Sequence, residues 1–294
     1  MPSKQSEAVR RRWEACWRAL AEPAEGPDDE SWGDLTAEPR RADYLETEAG
    51  GRPAMWVVPE GSRADRVLLG LHGGGFVSGS RYTHRKMFGH LAKAVGVRAL
   101  LVDYRLLAEG GGYPAPADDV TAAYRWLLER GILARHVALA GDSVGAWLAL
   151  AVQLRNPDLP RPAAAMLLSP AVDMEVTGES FRSNRDKDPF FGREVVRGII
   201  GAFLGDAGPR DPLVNPLYAD LTGLSPVYIQ VGGDETLLDD ARMLAGQAQK
   251  AGVEVRLEVF EGMLHTFQMA AGRAPEADDA IGKLADWVRP KLGL

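Results

Sequence analysis

The sequence predicts an α/β fold in which a mostly parallel sheet is covered by helices on both faces. Three observations carry this. From about residue 54 onward, short apolar runs alternate with longer stretches of helical periodicity. The central runs are continuously apolar, as strands buried on both faces are. One of them ends directly in Gly141-Asp142-Ser143-Val144-Gly145, after which helical periodicity begins.

The elements follow in order. Residues 5–21 place Val9, Trp13, Cys16, Trp17 and Leu20 at helical spacing, with arginines on the other face. Residues 22–42 are rich in Pro, Gly, Asp and Glu and read as loop or short helix. Strand-like runs cover 54–58, 66–71, 97–102, 136–140, 164–168, 227–231 and 253–260. Helical stretches fall at roughly 83–95, 117–130, 144–155, 237–251 and 275–290. In the last run Val253, Val255, Leu257 and Val259 alternate with Glu254, Arg256 and Glu258, which predicts a half-exposed edge strand. Between Ser169 and Ser225 no strand is legible. Residues 177–210 combine charges with Phe181, Phe190, Phe191 and an apolar helical stretch near 193–204. That interval reads as an insertion on top of the sheet, against which the amphipathic N-terminal helix packs.

Composition narrows the function. A chain of 294 residues allows one or two domains, or one large α/β domain. The 46% hydrophobic and 26% charged content is that of a soluble globular protein. A net charge of −7 argues against a nucleic-acid surface and against a polybasic membrane anchor. The single cysteine, Cys16, forms no intrachain disulfide and no cysteine-type zinc site, and the five histidines show no H-x-x-x-H pair. Neither a signal-peptide pattern nor a run of about 18 apolar residues is visible, so the expected location is the cytoplasm.

The strongest chemical signal is the G-x-S-x-G pentapeptide around Ser143. A sharp strand-to-helix turn there lifts the serine clear of the sheet, and the helix N-terminus adds positive dipole where an oxyanion would form. A second signal, His72-Gly73-Gly74-Gly75-Phe76, follows an apolar strand. Its unhindered backbone N–H groups suit a tetrahedral oxyanion, and a phosphate loop is disfavoured because no G-K-[ST] follows. His72 reads as structural. A nucleophilic serine needs a base, and in the order Ser, acid, His only His265 follows Ser143. The acid belongs after the strand ending at 231, where Gly232-Gly233-Asp234-Glu235 stands. Asp234 comes first and is selected, with Glu235 the neighbour able to displace it. Asp239 and Asp240 read as first-turn helix acids.

Together HGGGF, GDSVG, GGDETLLDD and EGMLHTF resemble the hormone-sensitive-lipase family of α/β-hydrolases, the bacterial family IV esterases, over about residues 54–290. The chain is also similar to the branch containing monoterpene lactone hydrolases. The resemblance implies an eight-stranded α/β-hydrolase sheet with a helical cap. On that basis residues 1–45 form the N-terminal part of the cap, 46–176 core, 177–210 the cap insertion and 211–294 core. It implies carboxylester hydrolysis of short to medium acyl chains without metal or organic cofactor. Ser143 would be nucleophile, His265 base and Asp234 acid. The oxyanion hole would comprise N–H groups of Gly74, of Gly73 or Gly75, and of Val144, with Asp142 helping to order the site. Homodimers through the edge strand 253–260 are also implied. Two departures stand out: Val144 and Ala146 replace smaller residues, and Gly110-Gly111-Gly112 interrupts the usual Tyr-Arg-Leu-Ala-Pro-Glu pattern.

Phe76, Trp13, Trp17, Phe181, Phe190, Phe191 and Leu238 are the candidate substrate-pocket residues. The same machinery would serve a lactone, amide or carbamate hydrolase. A catalytically silent small-molecule-binding protein is disfavoured by the complete triad. A protein-interaction module has no repeat or charge block to support it.

Overall fold

The computed structural model describes residues 2–21, 30–188 and 191–294, apart from the side chains of residues 13, 15–21, 30 and 31. In chain order the helices and strands are α1 (Lys4–Ala21), α2 (Glu30–Gly33), β1 (Ala42–Ala49), β2 (Arg52–Pro59), β3 (Arg63–Leu71), α3 (Arg81–Val95), β4 (Val97–Val102), α4 (Ala115–Glu129), β5 (Val137–Asp142), α5 (Val144–Leu154) and β6 (Ala164–Leu168). There follow α6 (Ser180–Ser183), α7 (Arg193–Leu204), β7 (Val227–Gly232), α8 (Leu238–Lys250), β8 (Val255–Phe260) and α9 (Pro275–Lys291).

The strands form one eight-stranded sheet in the order β1-β2-β4-β3-β5-β6-β7-β8. The β1–β2 and β2–β4 pairs are antiparallel, and the remaining five are parallel. Alternate strand residues serve opposite faces, as a two-residue period requires. Leu69 and Leu139 join Val120 of α4, Trp147 of α5 and Leu244 of α8 in one core layer. Leu68 and Ala138 join Phe88 of α3 and Leu284 of α9 in the other. The sheet is therefore buried on both sides, which explains the continuous apolar runs.

β1 escaped the sequence reading. Its residues, Ala-Asp-Tyr-Leu-Glu-Thr-Glu-Ala, are mostly polar, because it is an edge strand of the sheet with only Ala49 fully buried. Its signal is the two-residue turn Gly50-Gly51, both at positive φ, which closes a tight hairpin onto β2. At the opposite edge, β8 begins at Val255, and Val253 instead enters the core. Just before the glycine run the chain makes a 3-10 turn over Leu107–Glu109, with Gly110 as its left-handed cap.

α3 starts with a capping box: Ser80 Oγ accepts the Tyr82 and Thr83 N–H groups, and Thr83 Oγ1 accepts the Ser80 N–H. This fixes the first turn of α3 beside the loop that follows β3. Among the described residues no helix is long and apolar enough to cross a membrane.

Candidate active site

The parallel strands deliver the site residues from their C-terminal ends, where helix N-termini and loops converge. Ser143 sits between β5 and α5 at φ 54° and ψ −121°, a conformation non-glycine residues rarely adopt. The turn survives because the backbone beneath it has no room for anything else. A Cβ on Gly145 would lie 2.1 Å from the Leu71 carbonyl oxygen. The Ser143 N–H continues the sheet by donating to the Leu168 carbonyl at 2.9 Å.

The loop after β3 approaches the same point. Gly74 stands at φ 112°, and a Cβ there would lie 2.1 Å from the Ser78 carbonyl oxygen. The Gly74 carbonyl itself accepts the Val77 and Ser78 N–H groups, each at 3.0 Å, which curls the loop. Among the described residues the Gly74 and Gly75 N–H groups meet no acceptor. Val144 N–H, first in α5, is one of the donors that a helix start leaves free. Gly73 corrects the sequence expectation. Its N–H donates to Asp142 Oδ1 at 3.0 Å and is not available to an oxyanion.

His265 lies in the loop after β8 and is buried. Its Nδ1 is 2.8 Å from Glu235 Oε2, not from Asp234. Glu235 is fully buried, and its Oε1 accepts the Ser169 hydroxyl at 2.6 Å and the Gly232 N–H at 2.5 Å. Asp234 turns outward and pairs at 3.4 Å with Arg10 and at 3.4 Å with Lys187. The reason lies in the backbone. Beyond β7 the chain keeps pairing with the chain beyond β8, through Gly233 N–H to Phe260 O at 2.8 Å and Asp234 N–H to Met263 O at 3.1 Å. Glu235 N–H then turns back to the Gly232 carbonyl at 3.4 Å, and this tight turn leaves Asp234 at its corner facing outward and brings Glu235 against His265. Ser169 Oγ, which also accepts the Thr266 N–H at 3.0 Å, locks the His265 loop onto the same carboxylate.

Burial pulls the His265 pKa down, but the charge and hydrogen bond of Glu235, backed by Asp188 and Asp142, outweigh it and leave it above the ordinary 6.5. A histidine that must accept a proton works only when neutral. The pH profile of kcat/KM is therefore expected to fall on the acid side with a midpoint above 6.5. An acid-limb midpoint well below 6.5 would contradict this. His72, fully buried and stacked on Tyr104 at 4.3 Å, is pushed down to about 4 by burial and His84 and stays neutral.

Ser143, His265, Gly74, Gly75 and Val144 all line one apolar cleft of about 870 Å³, counting the solvent at its mouth. Of the candidate pocket residues, Phe76 and Phe191 line it. Phe191 meets the His265 ring edge-on at 4.8 Å, and Phe76 stacks on Phe203 of α7 at 3.8 Å. Phe181 and Leu238 do not line it. Phe181 packs in a small cluster with Val176, Val196 and Leu237, and Leu238 enters the main core. Phe190 and the side chains of Trp13 and Trp17 lie outside the described residues. The wall that aromatic-residue reasoning missed comes from α7, whose Val196, Ile199 and Ile200 face the cleft, and from Trp32, Met174 and Leu237. The signal was present as the apolar helical stretch near 193–204.

The comparisons with known proteins agree with this geometry. A family described as alpha/beta hydrolase fold matches residues 68–269. An acetyl-hydrolase of Streptomyces hygroscopicus is 40% identical over 243 residues, covering 82% of this chain and 80% of the relative. An esterase of Acinetobacter venetianus is 37% identical over 227 residues, covering 76% and 75%. The crystal structure of an esterase from the bacterial hormone-sensitive lipase family superimposes with a TM-score of 0.93 at 42% identity, covering 100% of both chains.

Proposed function

This chain belongs to the hormone-sensitive-lipase family of α/β-hydrolases and is a carboxylic ester hydrolase, and we propose that it works with Ser143 as nucleophile, His265 as base and Glu235 as the acid that orients it. The observation that carries this assignment is the 2.8 Å contact from buried Glu235 to His265, which lines the cleft that Ser143 shares with two glycine N–H groups unpaired among the described residues. Glu235 accepts the Nδ1–H and so leaves Nε2 as the proton acceptor. His265 takes the Ser143 hydroxyl proton as Oγ attacks the ester carbonyl. The Gly74, Gly75 and Val144 N–H groups receive the oxyanion. The alkoxide leaves with the proton from His265, and water repeats the sequence on the acyl-enzyme.

The substrates we assign are esters of short to medium acyl chains. Support comes from the closed wall of the cleft. Ile199 lies so close over the oxyanion loop that a Cβ on Gly75 would be 3.3 Å from its Cγ2, and the Phe76–Phe203 stack closes the same side. α1 and the 177–210 insertion are assigned as a cap, supported by Arg10, which bonds the Lys187 carbonyl and Asp234. A homodimer through the edge strand β8 is assigned from its position at the end of the sheet.

A series of p-nitrophenyl esters from acetate to dodecanoate, with a matched lactone and anilide, tests the substrate class. The expected result is a maximum at short to medium chains that shifts to longer chains in Ile199→Ala. Turnover confined to the anilide or the lactone, or a maximum at dodecanoate in the wild type, would reject it.

A further inference from the structure

A second histidine stands beside the oxyanion loop, and the reaction steps above do not use it. His84 lies in the first turn of α3, is 2% exposed, and reaches the cleft next to Asp142. Its Nε2 is 3.3 Å from Asp142 Oδ2, and its Nδ1 is 2.6 Å from Thr83 Oγ1. A carboxylate oxygen accepts, so Nε2–H donates to Asp142, and Nδ1 faces the Thr83 hydroxyl, which also reaches the Ser80 carbonyl at 2.9 Å. With both nitrogens engaged, His84 is not placed to receive the proton of Ser143. The other oxygen of the same carboxylate accepts the Gly73 N–H at 3.0 Å.

The placement of this relay gives it meaning. Asp142 immediately precedes Ser143, and Gly73 immediately precedes Gly74. One buried carboxylate thus ties the nucleophile turn to the oxyanion loop, and its second oxygen is held by His84. Resting on the esterase reading, we propose that His84 is a positioning residue that aims the Gly74 and Gly75 N–H groups by fixing Asp142. Removing it leaves a buried carboxylate oxygen without its donor, so the carboxylate rotates and the Gly73 anchor shifts. The glycine donors then miss the position that the oxygen occupies in the transition state. Such a loss falls on kcat rather than on substrate binding.

The test compares His84→Leu, His84→Asn and His84→Gln with the wild type on p-nitrophenyl butyrate. A displacement of about 1 Å at a catalytic group is worth up to about 100-fold, so His84→Leu is expected to lose tenfold to 100-fold in kcat. KM is expected to stay within about twofold, because ground-state contacts are untouched. The Gln amide reaches where Nε2–H stood and restores kcat to within about threefold, whereas the shorter Asn does not. If His84→Leu fails to fold, the Gln–Asn difference decides the matter. Unchanged kcat in a folded His84→Leu, equal losses in Gln and Asn, or a change confined to KM would overturn the assignment. Silent His84 variants beside an active wild type overturn this inference alone; an inactive wild type overturns the esterase reading and this inference with it.

Discussion

Glu235→Gln is expected to lower kcat on p-nitrophenyl butyrate by on the order of 10⁴, the size seen when the acid of a serine triad becomes an amide. Asp234→Asn is expected to stay within about fivefold of the wild type, because its carboxylate touches neither His265 nor the cleft and its partly exposed ion pairs contribute at most about 1 kcal/mol to stability. The contrast follows from geometry. Glu235 is buried and accepts three hydrogen bonds, from His265, Ser169 and Gly232. An amide there presents donors to donors, and the tautomer of His265 with a free Nε2 lone pair loses its support. Asp234 is 17% exposed at its side chain, and among the described residues its carboxylate pairs with Arg10 and Lys187 outside the cleft. The acid limb of the pH profile supplies a second reading of the same change. The charge of Glu235 raises the His265 pKa, so residual activity in Glu235→Gln should persist to lower pH than in the wild type. Steady-state kinetics of both variants checks this. A severe loss in Asp234→Asn with a mild one in Glu235→Gln would reverse the assignment.

Ser143→Ala is expected to remove essentially all turnover, a loss on the order of 10⁶ in kcat as for other serine nucleophiles. The variant should fold. Its single lost atom faces the cleft, and the backbone contacts that hold the turn, from Ser143 N–H to Leu168 and from Ala146 N–H to the Ser143 carbonyl, remain. The oxyanion donors remain too, so a residual rate above that of water is compatible with the account. A melting curve close to the wild type, recorded beside the kinetics, separates loss of chemistry from loss of fold.

Much of this site can be read from order and local pattern. Ser143 is announced by its glycines between a strand and a helix, and His265 by being the one histidine downstream of it. The first acidic residue after β7 is the choice that order suggests, whereas the structure sets the second one against His265. Which of Asp234 and Glu235 faces inward depends on the turn that follows β7, and that turn is held by Phe260 at the end of β8 and by Met263 in the loop after it. No count along one segment contains it. Gly73 fails as an oxyanion donor for a similar reason, since its N–H is claimed by Asp142, 69 residues away. β1 was missed because an edge strand buries little and so carries no apolar run. Aromatic residues are the conspicuous pocket candidates in the sequence, whereas much of the cleft wall is aliphatic. Ile199 and Ile200 reach the cleft while Phe181 packs beneath it, and Leu237 lines the cleft while its neighbour Leu238 points into the core.

The most direct test of the central claim is to catch the acyl-enzyme. The wild type is mixed with p-nitrophenyl butyrate, quenched in acid during the first turnovers, digested and mapped by mass spectrometry. The account predicts one butyryl group on the peptide carrying Ser143, formed with the release of the first equivalent of p-nitrophenol and absent from Ser143→Ala. Sustained turnover with Ser143 unmodified, or a butyryl group that forms and decays on another residue at the turnover rate, would contradict it.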